Sequence, residues 1–326
     1  MAGGALQYGL TTDRCIAFHG RMATTLASFL ETAWGRHDKE PEKVLAEGRA
    51  LIGSAGDGTL VPLGRLLFHV AAEHLGRFGD AAAVLAELRG RPSCLPGSPE
   101  ERTLWRFASA AHVCAGETAL AQDAEAHASA GNLRPPESER GAIHALAAAA
   151  FLGQKRAAEA SAHFEKALYC AHYGPEKDDP LSRALAVTGN NLACELEVRP
   201  SRSPEEDRLM LTAAEAARRY WEVAGNWSHV EGAEYRLAMT CVALKQGGRA
   251  LEHARAALAL CDANEADATT RFFAHDAEAR ALHTAGEREP ARAARAKLAA
   301  LLAKVPEGDR EYCAGELAKL DSFLAA

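Results

Sequence analysis

The sequence predicts an all-α fold of stacked antiparallel helix hairpins, and three observations point there. The apolar content, 48% of 326 residues with only 6% aromatic, is carried mainly by Ala and Leu, the strongest helix formers among the apolar residues. Turn-forming marks arrive at roughly twenty-residue intervals, and between them apolar residues recur at three and four rather than at two. No segment alternates β-branched and polar residues over a strand's length, so a sheet is unsupported.

Taken in order, the periodic stretches give helices at Asp13–Gly35, Glu40–Ile52, Leu60–Arg77 and Asp80–Arg89, closed by the break Arg91–Gly97. Ser98-Pro99-Glu100-Glu101 then opens Pro99–Cys114 with a capping hydroxyl, a first-turn proline and acids that suit the helix dipole. Glu117–Ala130 follows, up to Leu133–Pro136, and then Glu137–Leu152 and Arg156–His172, up to Gly174–Pro180. Leu181–Val198 ends at Arg199–Pro204, where Ser203-Pro204-Glu205-Glu206 repeats the entry chemistry for Pro204–Val223. The rest reads as Trp227–Lys245, Arg249–Ala263, Ala268–Thr284, Pro290–Lys304 and Asp309–Leu324. The breaks are rich in Pro, Gly and charge and short enough for inter-helix loops; none reads as a domain linker.

Composition removes several classes of function. A formal charge of −7 and a pI near 6.0 provide no general attraction to phosphate backbones, so nucleic acid is not an expected partner. The basic run Arg288 to Lys297 reads as a solvated helix face. Eight cysteines, Cys15, Cys94, Cys114, Cys170, Cys194, Cys241, Cys261 and Cys313, are scattered without close pairs and read as reduced core thiols. Met1 to Arg14 has neither a basic leader nor an apolar stretch before a cleavage site. The longest apolar run, Ala145 to Leu152, falls far short of the roughly 20 residues a membrane helix needs. A cytoplasmic protein with no membrane partner is expected.

A recurring helical hairpin cannot bury its apolar face alone and must stack on its neighbours. In Glu234–Asp262, Leu237-Ala238 sits on a first helix, Gly247-Gly248 makes the turn, and Ala250, Ala254 and Ala257 fall on one face of the second. Ala160, Phe164 and Ala167 repeat that spacing in Ser138–Tyr173. This arrangement resembles the tetratricopeptide repeat, whose second helix carries a small residue, an aromatic four later and a small one three after that. Asn191-Leu192-Ala193 and Arg236-Leu237-Ala238 resemble the large-then-small pair of that family's first helix. The resemblance is clearest from about Gly141 to Val305; Ala254 departs from it by replacing the aromatic, and the units lie about forty residues apart against the usual thirty-four. It implies a right-handed α-solenoid. Residues 1–135 would be degenerate repeats or a cap, 136–306 the repeats, and 307–326 a capping helix.

Peptide-clamping members of that family grip a carboxylate with Lys, Asn and Arg from successive first helices. Here Asn191 and Arg236 fall at two such places, whereas Ala145, Ala149 and Gly232 occupy others, so the clamp is incomplete, and Asn190 and Asn191 serve equally well as interhelix hydrogen bonders. Tyr220, Trp221, Trp227 and Tyr235 lie around one hairpin and read first as core packing. If Tyr235 and Arg236 face a groove together with Arg271 and His275, they form a polar-aromatic strip for an extended peptide. Asn190, Asn191, Tyr235, Arg236, Arg271 and His275 are therefore the candidate partner-binding residues.

No cofactor is expected, and no complete metal site. His112 with Cys114, and Cys170 with His172, are two apart on helices and point to different sides. His69 and Glu73, four apart with His74 adjacent, make one edge of a metal site whose other ligands the sequence does not reveal; a partly buried helix stripe accounts for them as well. Phosphate loops, nucleophile elbows and zinc-protease signatures are missing, and Glu159 with His163 is a pairing found on many helix surfaces. The expected function is a non-enzymatic scaffold binding a protein or peptide; the alternatives are a regulator whose curvature responds to a ligand or peptide, and a helical enzyme.

Overall fold

Fifteen α-helices and no strand make up residues 21–325, the part of the chain that the computed structural model describes. They are α1 (Arg21–Ala33), α2 (Pro41–Ala50), α3 (Leu60–Phe68), α4 (Phe78–Arg89), α5 (Pro99–Ala115), α6 (Thr118–Ser129), α7 (Pro136–Gly153) and α8 (Ala157–Cys170). After these come α9 (Pro180–Glu197), α10 (Pro204–Ala224), α11 (Trp227–Ala243), α12 (Gly247–Ala263), α13 (Ala268–Thr284), α14 (Arg288–Leu302) and α15 (Glu307–Ala325). Among the described residues the expected helices are all present, with ends within a turn of their expected positions. One departs from expectation: the stretch Leu60–Arg77 is α-helical only to Phe68 and then widens into a π-helical segment, His69–His74. The start of the first expected helix, with Asp13 and Cys15, lies outside the described residues.

Local chemistry sets the helix starts. Ser98 accepts from Glu101 N at 3.1 Å with Pro99 in the first turn. Ser203 and Glu206 form a reciprocal capping box, in which Glu206 N donates to Ser203 Oγ at 3.2 Å and Ser203 N donates to Glu206 Oε2 at 2.8 Å. Before α9 the cap is a buried aspartate. Asp179 Oδ1 accepts from Leu181 N at 2.9 Å and from Ser138 Oγ at 2.7 Å, and its Oδ2 accepts from Tyr173 OH at 2.8 Å.

The chain divides into two compact units. One holds the described residues up to Pro175 together with Asp179–Ala184; the other holds Glu176–Asp178 and Leu185 onward. Two of the boundaries fall in the Gly174–Pro180 break, which reads from sequence as an ordinary inter-helix loop, and a third falls between Ala184 and Leu185, inside α9.

In the first unit α5 pairs with α6 and α7 with α8, while α3 packs on α5 and α5 on α7. Its interior is built of Leu63, Leu66, Leu67, Phe68, Leu85, Leu88 and Leu104, with Phe68 stacked on Phe107 at 5.5 Å. Ala160, Phe164 and Ala167 are fully buried on α8, as their spacing predicts. In the second unit α11 pairs with α12 and α13 with α14, and α11 packs on α13, which in turn meets α15. Ala250 and Ala254 are buried there in one cluster with Phe272, and Ala257 in another with Cys261, Ala266 and Ala274. Approach is close at Gly189 of α9, where an added Cβ would collide with the carbonyl oxygen of Ala213 in α10.

Seven cysteines in the described residues are free, six of them buried, which matches their reading as core thiols. Burial pushes the thiols of Cys114 and Cys261 up to about 12, so they remain protonated at neutral pH.

Truncating Phe164 to Ala should cost about 3–5 kcal/mol, as expected of a buried aromatic. Ser203→Ala should cost about 1 kcal/mol, the worth of a cap. Urea denaturation of the two variants beside the parent chain measures both.

Candidate functional site

The second unit buries charge along alternate helices. Glu231, Glu234 and Arg236 on α11 and Asp276 and Arg280 on α13 are all buried. Such groups persist in an interior only when partnered or neutralised, and this unit uses both solutions.

Arg236 donates from Nη1 to Glu197 Oε2 of α9 at 2.7 Å, and its guanidinium sits 5.7 Å from the Tyr235 ring centroid. Burial by itself would lower the guanidinium's pKa, but the adjacent Glu197 carboxylate outweighs it and the net shift is upward. On α13, Arg280 Nε donates to Asp276 Oδ2 at 2.8 Å. Burial raises the Asp276 pKa against the pull of Arg280, and its Oδ1 has no partner.

Glu234 ties three helices together, accepting from Arg218 Nε of α10 and pairing with His253 Nδ1 of α12 at 2.7 Å. Burial opposes its ionisation, but hydrogen bonds from His253 and Arg218 prevail and hold its pKa below the usual carboxylate value. Glu231 is the opposite case. It is fully buried with both carboxyl oxygens unpartnered, and burial, aided by the charge of Asp267, pushes it up to about 8. Glu231 is therefore mainly protonated at neutral pH.

The six candidate partner-binding residues occupy different settings. Asn191 is exposed on α9, and the half-buried Asn190 donates to its side-chain oxygen at 3.4 Å. Tyr235 and Arg236 are buried, and Arg236 is committed to Glu197. Arg271 closes the turn between α12 and α13, donating to the Cys261 and Ala266 carbonyls at 3.0 Å each and pairing with Asp262. His275, half-buried, pairs through Nδ1 with Glu278 Oε2 at 3.0 Å on its own helix. Both guanidiniums of the expected strip are thus already engaged, Arg236 in the interior and Arg271 at a partly exposed turn. Sequence spacing put Arg236 on the right helix, but the carboxylate that claims it sits on the preceding helix pair, a contact that periodicity does not encode.

Of the aromatic group, Tyr220, Trp221 and Tyr235 are buried and Trp227 is 37% exposed, in keeping with packing between helices. In the first unit His69 and Glu73 meet at 2.9 Å, as their four-residue spacing predicts. His37, which the sequence reading passed over, joins them; no local motif links it to His69, and the wide π turn that brings His74 alongside has no signature in apolar periodicity.

Compared with known proteins, the chain matches no family model and no curated sequence. Among the described residues no helix is long and apolar enough to cross a membrane.

Glu231 provides a signed pH test. Its folded pKa of about 8 lies above the ordinary value of 4.5, so burying it costs nothing at or below pH 4.5. The cost grows as the unfolded chain ionises and is complete above pH 8. Glu231→Gln should therefore raise unfolding stability by about 2 kcal/mol or more above pH 8 and change it little at pH 4.5. Urea midpoints at the two pH values decide it.

Proposed function

We propose that the protein is a tetratricopeptide-like interaction scaffold that holds a protein or peptide partner. In this reading each unit stacks its hairpins in the manner of a right-handed α-solenoid, with α15 as the terminal cap, and the first helices of successive hairpins present the recognition surface. The supporting observation is the packing of alternate helices, α3 on α5 and α5 on α7 in one unit, α11 on α13 and α13 on α15 in the other. Helices that pack this way expose equivalent faces in a row, and such rows suit extended chains.

The buried charge supports the reading indirectly. Glu197 with Arg236 joins α9 to α11, and Glu234 joins α10, α11 and α12 through Arg218 and His253. Breaking one partner of such a pair strands a charge, so the helices hold a fixed register and the surface they carry is rigid before a partner arrives. Pre-organisation of that kind lowers the cost of binding. The reading assigns no catalytic step and no nucleic-acid or membrane partner.

Because Arg236 is committed to the interior and Arg271 to the turn between α12 and α13, charge reversal there would test folding. Asn190 and Asn191 are the better probes. Immobilised full-length protein should retain a defined protein from a lysate of its native cell, and the double variant Asn190→Ala, Asn191→Ala should weaken that retention at least tenfold with an unchanged melting temperature, a loss of about 1.4 kcal/mol. Retention of a metabolite without any protein would transfer the assignment to a ligand-responsive regulator.

A further inference from the structure

We infer that His37, His69 and His74 form a binding site for a divalent transition-metal ion of the zinc type, with a fourth position left to solvent. The site is in the first unit and independent of the scaffold reading.

The three imidazoles converge from two places in the chain. His37 lies in the turn after α1, and His69 and His74 open and close the π-helical segment. Their ring centroids form a nearly equilateral triangle, 4.9 Å between His37 and His69, 4.9 Å between His37 and His74, and 4.8 Å between His69 and His74. The rings are inclined by 51°, 90° and 79°, so they are not stacked faces. Nε2 of His69 and Nε2 of His74 are 3.1 Å apart, and one ligand nitrogen from each of the three residues lies within 4.8 Å of the others. Nitrogens around tetrahedral zinc, at about 2.0–2.1 Å from the metal, stand about 3.4 Å from one another. One edge of the triangle thus already has nearly the required length, and the remainder closes by side-chain rotation; His74, exposed at the rim, is free to make it.

Outer partners fix which nitrogen faces the centre. The Trp34 carbonyl and the Glu73 carboxylate can only accept. His37 Nδ1–H therefore donates to Trp34 O at 2.7 Å, and His69 Nδ1–H to Glu73 Oε2 at 2.9 Å. In a neutral ring the lone pair then resides on Nε2. A metal-bound histidine is normally held in this way, by a carboxylate or a backbone carbonyl on its far nitrogen, which sets the tautomer and strengthens the ligand. The Trp34 indole packs beside two of the rings, 5.3 Å from His37 and 5.2 Å from His69, forming an apolar wall.

The π turn creates the site. Residues five apart on an α-helix are separated by about 140°, whereas the i→i+5 bond of a π turn stacks residue i+5 near residue i. Here Leu75 N donates to Val70 O at 3.1 Å, and His69 and His74 come together. The widened turn frees carbonyls, and α7 takes one of them: Gln154 Nε2 donates to Glu73 O at 2.8 Å. Gly153 permits this approach, since a Cβ there would collide with that same oxygen. A π turn braced from a second helix is a frequent setting for functional sites. Three imidazoles select zinc, copper, nickel or cobalt over magnesium and calcium, which take oxygen ligands.

The test uses tag-free full-length protein stripped with a chelator and titrated with Zn2+ by calorimetry. The expected result is one ion per chain with a Kd of about 1 μM or tighter, and a melting temperature that rises with zinc. Co2+ in its place should give the visible d–d bands of a tetrahedral nitrogen site. His74→Ala, at an exposed position, should weaken binding at least a hundredfold while the metal-free melting temperature is kept, and Glu73→Gln should weaken it about ten- to a hundredfold. His172→Ala, a histidine outside the cluster, should leave binding unchanged. Absence of zinc binding, or the same affinity after His74→Ala, overturns the assignment and leaves the three rings as a hydrogen-bonded packing element.

Discussion

How near one helix can come to the next governs this molecule. A hairpin with one apolar face has no stable existence alone, and here the faces that meet are built largely of alanine. Ala160 and Ala167 flank Phe164 on α8, and Ala250, Ala254 and Ala257 line α12, all fully buried. Small side chains bring the axes toward the near end of the 8–10 Å range. At that spacing each missing or added methyl group is felt, since interiors are packed as densely as organic crystals. At Gly189, α9 and α10 meet with no room for a Cβ.

Close helices leave little space for water, so the charges at their seams must satisfy one another. Glu197 with Arg236 and Glu234 between Arg218 and His253 are the outcome across helices, while Asp276 pairs with Arg280 within α13. Pairs of this kind add modestly to net stability because desolvation offsets much of the Coulomb attraction. Their larger effect is on register: a helix that slides past its neighbour separates ions that have little access to solvent. Glu231 shows the other way to bury an acid, by retaining its proton.

Much of the fold was legible because its determinants are local. Helix identity follows from apolar spacing, and Ser98 and Ser203 announce their helices through hydroxyl, proline and acid in fixed order. Ala160, Phe164 and Ala167 were correctly read as an inward face. What escaped depends on contacts between distant segments. Leu60–Arg77 keeps its three-and-four spacing through the π segment, so the pattern alone gives one unbroken helix. Arg236 fits a groove-facing stripe as well as a seam until Glu197 is seen beside it. The sequence reading found His69, Glu73 and His74 as an edge but not His37, which a turn beyond α1 supplies.

The wide turn at His69–His74 also bears on how this region tolerates changes in length. A π segment amounts to a helix carrying one surplus residue, and deleting any one of the six would let the backbone relax into an ordinary spiral. Five residues of α-helix sweep about the same angle as the six of the wide turn, so the chain beyond Leu75 would keep its direction relative to α3. The inward leucines of α4, Leu85 and Leu88, would still face the interior they now fill. A single-residue deletion within these six positions should therefore be absorbed by the helix, as few helical deletions are.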